Sequence, residues 1–134
     1  MQKRKLGRTG LDVSLLAFGC GAVGGLMTKG DPADQMRAVR RALELGVNFF
    51  DTAPLYGNGA SETNVGRIFN ELKPNVVLGT KVNVRPEDKG NIWAAIERSI
   101  EESMKRLQRD HVDLLQLHHT AAIQRRGERD ERAA

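Results

Sequence analysis

Aromatic side chains are scarce in this chain, with one tryptophan, one tyrosine and four phenylalanines among 134 residues. The two basic clusters, Lys3-Arg4-Lys5 and Arg125-Arg126, have no aromatics between them. A nucleic-acid partner is therefore not expected, despite a net charge of +4. Cysteine occurs once, at Cys20, which excludes an internal disulfide framework and a cysteine-based metal cluster within one chain. A reduced, cytoplasmic setting is expected, and no metal site. No apolar run is long enough to span a membrane, so no membrane partner is expected either. The basic start followed by residues 15–20 has the outline of an export signal, but Asp12 and the polar turn at 7–10 interrupt it and the apolar run is too short. What remains, 40% hydrophobic and 28% charged, is ordinary globular chemistry for one domain.

The pattern along the chain alternates short apolar runs with helical periodicities. Lys3 to Leu6 and Asp12 to Leu15 flank the turn Gly7-Arg8-Thr9-Gly10 and predict a β-hairpin. Residues 15–20 predict a buried strand, and residues 21–30 a loop too rich in glycine for a helix. A helix is expected over 32–45, with Asp31 as N-cap and Pro32 in the first turn, ended by Gly46. A strand at 47–51 follows. Then comes a helix capped by Ser61, with Val65, Ile68, Phe69 and Leu72 on one face, stopped by Lys73-Pro74. Residues 76–82 predict the next strand. Residues 91–107 predict the longest helix, with Ile92, Ile96, Ile100, Met104 and Leu107 as its apolar stripe, and residues 112–118 a last strand. Residues 120–134 are small or charged, and a disordered tail is expected there.

Strands separated by helical crossovers imply parallel pairing, in an open doubly wound sheet or in a piece of a β/α barrel. Gly19-Cys20-Gly21-Ala22-Val23-Gly24 fits the dinucleotide-binding pattern G-x-G-x-x-G. However, Gly25, Gly30 and Asp31-Pro32 follow where that pattern needs a helix to begin, so a doubly wound fold is disfavoured.

Asp51, Lys81 and His118 each fall at or near the carboxyl end of a predicted strand, and the lone Tyr56 lies on the loop after Asp51. In a parallel β/α array those ends share one face, where ligands collect. Singly, each has an ordinary explanation: a loop-closing aspartate, a strand-end lysine, a core histidine. Together they make a coherent proton-handling set. A free phenol titrates near 10, and it becomes a useful acid and base at neutral pH when a cation favours its anion. Lys81 would supply the cation, Asp51 would hold the lysine by an ion pair, and His118 would hydrogen-bond a substrate oxygen beside Tyr56. None of these groups donates a hydride, so a reduced nicotinamide is the expected cofactor.

Lys5-Leu6-Gly7-Arg8-Thr9-Gly10-Leu11-Asp12-Val13-Ser14, Gly46-Val47-Asn48-Phe49-Phe50-Asp51-Thr52-Ala53, Tyr56-Gly57, Ser61-Glu62, Gly79-Thr80-Lys81 and Asp113-Leu114-Leu115-Gln116-Leu117-His118 follow in order at normal spacing. In these the chain resembles the aldo/keto reductase superfamily from residue 3 to about 119. The resemblance implies an α/β fold of the TIM type, a (β/α)8 barrel of which residues 1–119 would form the N-terminal half. It further implies reduction of aldehydes or ketones to alcohols with NADPH. The Asp, Tyr, Lys and His of the catalytic tetrad fall on Asp51, Tyr56, Lys81 and His118, with Asp51 near the nicotinamide ribose. Cys20, His111 and His119 have no tetrad role and are expected to be structural.

A closed eight-fold barrel uses roughly 250 residues. The resemblance fades after His119, and the later strands that carry most cofactor contacts in the family are not matched. A truncated reductase with weak or no activity is therefore expected, the alternatives being a non-catalytic binding or regulatory module and an inert gene fragment. Unpaired strand edges invite a second copy of the chain, so a homodimer is expected.

Overall fold

The computed structural model describes residues 1–118; the expected tail at 120–134 and His119 lie outside the described residues. The chain opens on the expected hairpin, β1 (Lys3–Lys5) against β2 (Asp12–Ser14), antiparallel with Arg4 opposite Val13. The hairpin is fastened to the base of the main sheet through Asn48. Its Oδ1 accepts from the Ser14 amide at 2.6 Å, its own amide donates to Ser14 Oγ at 3.1 Å, and its Nδ2 donates to the Asp12 carbonyl at 2.9 Å.

The main sheet contains β3 (Phe18–Gly19), β4 (Phe49–Asp51), β5 (Val77–Val82) and β6 (Leu114–Leu117), all parallel and in chain order. A doubly wound sheet reverses its strand order at a switch point, whereas strands added consecutively in one direction are the growth pattern of a β/α barrel. The registers set Gly19 beside Asp51, Asp51 beside Gly79, and Lys81 beside Gln116.

The first strand is shorter than expected. Leu15 and Leu16 are 52% and 64% exposed, because the Leu15 amide still pairs with Gln2 of the hairpin and the chain joins the sheet only at Phe18. The loop expected at 21–30 contains a one-turn helix, α1 (Leu26–Lys29), entered through a left-handed Gly25. Tertiary contacts make it. Met27 is buried at 1% exposure, Gln35 Nε2 donates to the carbonyls of Leu26 and Gly30, and Asn64 Nδ2 donates to that of Met27.

Helix α2 (Pro32–Glu44) has the expected cap, with Asp31 Oδ1 accepting from the Ala33 amide at 2.8 Å. Leu45 is its C-cap and is exposed. Its most buried residues include Gln35, whose amide oxygen accepts from Arg67 Nη2 at 2.7 Å.

Helix α3 (Ala60–Leu72) is capped differently from expectation. The N-cap is Gly59, at φ 87°, a conformation that glycine adopts freely and an L side chain does not. Ser61 lies inside the helix, and its hydroxyl serves the strands instead. A five-residue 3-10 turn (Pro86–Gly90) precedes α4 (Ile92–Leu107), whose N-cap Asn91 accepts from the Ala94 amide. The buried stripe of α4 is Ala95, Ser99, Ser103 and Leu107, while Ile92 is 51% exposed. Ser99 on that face accepts from the Asn83 amide just past β5, and the last turn of α4 approaches α3 closely. A Cβ on Gly66 would stand 2.6 Å from the Arg106 carbonyl oxygen and 2.7 Å from that of Leu107.

The apolar core lies between the sheet and the helices. Phe50 stacks on Phe18 with centroids 5.2 Å apart and meets Phe69 edge-on at 5.1 Å; Leu78, Ile68, Val39 and Leu107 close around them. Each such side chain stabilises the fold by about 1.5–3 kcal/mol on burial. β6 is covered less well. Leu115 and Leu117 align with the helix-side residues Thr80 and Val82 yet stay 43% and 53% exposed. No helix among the described residues is long and apolar enough to cross a membrane.

Candidate active site

The carboxyl ends of the strands deliver the predicted groups to one rim. Asp51 is the last residue of β4, Lys81 the penultimate residue of β5, and His118 follows β6, its amide donating to the Val82 carbonyl at 3.1 Å. The Lys81 ammonium has three hydrogens and three short acceptors: Asp51 Oδ1 at 2.8 Å, Asp51 Oδ2 at 2.8 Å and the Thr52 carbonyl at 2.9 Å. With side-chain exposures of 12% for Lys81 and 26% for Asp51, the pair is sheltered but not sealed.

Tyr56 arrives from the loop between β4 and α3, where its amide donates to the Ala53 carbonyl at 3.1 Å. The Lys81 Nζ stands 4.9 Å from the centroid of its ring, and the imidazole of His118 meets the ring edge-on with centroids 5.7 Å apart. All four predicted residues are therefore brought together. Because each ammonium hydrogen already has an acceptor, Lys81 influences the phenol through its field across the ring rather than by a direct hydrogen bond. Gly21 lies against the phenol's flank: a Cβ there would make an ordinary van der Waals contact with the tyrosine ring at 3.6 Å.

Two of the groups expected to be structural are described. Burial pushes the Cys20 thiol up to about 12, the Asp51 carboxylate adding to the rise and Lys81 opposing it, so the thiol stays protonated and inert. His111 is exposed beside Asp110 at 2.6 Å, and its hydrogen bond holds that carboxyl below the usual range.

Behind the rim, on the helix side of the sheet, is a polar layer that sequence reasoning missed. The Ser61 hydroxyl donates to the Cys20 carbonyl at 2.8 Å. A hydroxyl has one hydrogen, so the 2.8 Å contact between Ser61 and Thr52 has Thr52 as donor. Next to it, Thr80 Oγ1 donates to Glu62 Oε1 at 2.6 Å and Arg106 Nε donates to Glu62 Oε2 at 2.7 Å. Ser61, Glu62, Thr52 and Thr80 are each 0% exposed. The available signal was alternation: Thr52 and Thr80 adjoin Asp51 and Lys81 on the opposite face of their strands, and buried hydroxyls there demand partners.

A phenol facing a fixed ammonium, at the rim of consecutively added β/α units, is the arrangement that the chain presents. The model of the aldo/keto reductase family matches residues 15–124, and the chain belongs to that family. It is 36% identical over 124 residues to an uncharacterized oxidoreductase of Bacillus subtilis, covering 88% of this chain and 39% of that protein. The holo form of an aldo-keto reductase from Bacillus halodurans superposes with a TM-score of 0.71 at 38% identity, over 87% of this chain and 40% of the other. An aldo-keto reductase from Klebsiella pneumoniae in complex with NADPH superposes with a TM-score of 0.68 at 31% identity, over 85% and 38% of the two chains. The chain thus spans about two fifths of the length of these relatives.

Proposed function

We propose that the chain carries the proton-transfer half of an NADPH-dependent reduction of aldehydes or ketones to alcohols. The observation behind this reading is the Lys81 ammonium, held on Asp51 and Thr52 and facing the Tyr56 ring at 4.9 Å. A reduced nicotinamide, when bound, supplies the hydride that reaches the carbonyl carbon. Asp51, at the rim with its carboxylate partly in solvent, would hold the nicotinamide ribose. Tyr56 gives its hydroxyl proton to the carbonyl oxygen as charge develops there, and the ammonium field stabilises the phenolate left behind. His118, edge-on to Tyr56, orients the same oxygen. Asp51 holds Lys81 in place and takes no part in the proton transfer.

Turnover by this chain is expected to be weak, since the relatives it matches are more than twice as long. A second copy is the proposed partner. β6 ends the described sheet with Leu115 and Leu117 exposed, and two such sheets hold the eight strands of a closed barrel. A folded monomer at micromolar concentration in sedimentation velocity would overturn the dimer. The reading includes a cytoplasmic setting, in keeping with a single buried thiol.

The catalytic reading is tested by aldehyde turnover with NADPH in the unaltered chain and in Tyr56→Phe, with cofactor fluorescence reporting binding separately. Turnover should fall by about 100-fold or more while cofactor affinity holds. Equal turnover in the two would defeat the assignment.

A further inference from the structure

The polar layer behind the rim ties together the three strands whose ends build the site. Ser61 and Glu62 are consecutive residues in the first turn of α3. Through them Cys20, at the end of β3, Thr52, at the end of β4, and Thr80, within β5, are bonded to a single helix end. Two of these anchors adjoin the groups that set the ammonium. Thr52 supplies the carbonyl that Lys81 donates to, and Thr80 directly precedes Lys81.

An ammonium with three acceptors on β4 and its loop is sensitive to any slip of β5 against β4, because its three donors must meet all of them at once. The side chain that resists such a slip is Glu62. Its carboxylate holds Thr80 on one oxygen and Arg106 of α4 on the other, which couples β5 to both flanking helices. The simplest competing account is that Glu62 and Arg106 only staple α3 to α4. That account leaves the fully buried Thr80 bond without a consequence at the rim.

We infer that Glu62 is a positioning residue for the reaction: acting through Thr80, it holds the Lys81 ammonium on its three acceptors beside Tyr56. The inference rests on the reductase reading for its functional meaning, but its test needs no turnover. In the uniformly 15N-labelled chain, the Lys81 ammonium gives a slowly exchanging resonance, identified by its loss in Lys81→Met. In Thr80→Val and in Glu62→Gln, hydrogen exchange from that ammonium should accelerate by on the order of tenfold, while circular dichroism stays native. Thr80→Ser, which restores the hydroxyl, should return the slow rate. An unchanged rate in folded Thr80→Val overturns the inference, as does the absence of any protected Lys81 resonance in the unaltered chain. Should Glu62→Gln fail to fold, the Thr80 pair of variants decides alone. If exchange responds as stated but turnover is indifferent to Tyr56→Phe, the reductase reading fails and the positioning result stands.

Discussion

Two ion pairs lie on opposite faces of this sheet near its carboxyl end, an upper one at the rim and a lower one, one residue back along β5, on the helix side, and they are built for different ends. Lys81 and Asp51 meet at the rim, where the carboxylate keeps 26% of its side chain in solvent and the ammonium faces a phenol. Arg106 and Glu62 meet below, where the carboxylate is wholly buried and each of its oxygens has a donor. A buried carboxylate is tolerable only with its partners in place, so the lower pair stands or falls with the fold. The upper pair keeps part of its carboxylate in water, so removing one partner leaves the other less exposed to an uncompensated burial cost.

The comparison breaks most readily at Glu62. Glu62→Ala leaves the buried Thr80 hydroxyl without its acceptor, takes from Arg106 its closest carboxylate and opens a cavity, and should cost about 3–5 kcal/mol; for a chain of this size the midpoint in a thermal melt should fall by more than about 10 °C. Gly66→Ala attacks the same junction from the backbone side, since its Cβ would meet two carbonyl oxygens of α4 at 2.6 and 2.7 Å. A loss of about 2 kcal/mol in urea unfolding is expected, with Gly66→Ser no better.

Cys20 sharpens the contrast through pH. Its thiol is raised to about 12 in the fold, above the 9.0 of an ordinary thiol, so the protonated form favours the folded state. That contribution is complete below pH 9 and is lost as pH rises from 9 towards 12. Between pH 8 and 10 urea unfolding should report a loss of about 1 kcal/mol that is missing in Cys20→Ala. The smallest expected effect is on the upper pair. Lys81→Met should cost less than about 1 kcal/mol of stability, because the Asp51 carboxylate is left in contact with water. A cost equal to that of Glu62→Ala would mean the two pairs are not different in kind.

Much of this was legible in the residues. Asp31-Pro32 marked the start of α2 because a carboxylate cap and a proline in the first turn are local effects, and the run ending at Asp51 marked a strand because apolar β-formers there cannot face water. Asp51, Lys81 and His118 were legible from strand ends, since parallel β/α order sends all those ends one way, and Tyr56 from the loop that follows Asp51. Ser61 was misread as a cap because sequence does not show that left-handed Gly59 already turns the chain into the helix. The apolar stripe of α4 was legible at Met104 and Leu107, which pack on the core, but the burial of Ala95, Ser99 and Ser103 was not, because a face that lies close against neighbouring elements is set by fit and not by which residues are most apolar. The turn at Leu26–Lys29 was missed because its carbonyls are satisfied by Gln35 and Asn64, 9 and 37 residues downstream of the residues they serve.

The sequence by itself determined that the chain alternates strands and helices, and that Asp51, Tyr56, Lys81 and His118 gather at one end of them, because periodicity and strand direction are properties of neighbouring residues. Only the tertiary structure decided that every hydrogen of the Lys81 ammonium is already engaged, and that Thr52, Ser61, Glu62, Thr80 and Arg106 form the layer behind it. Those bonds join residues up to 44 positions apart, and contacts at such separations come into being only when the sheet and its helices close on one another.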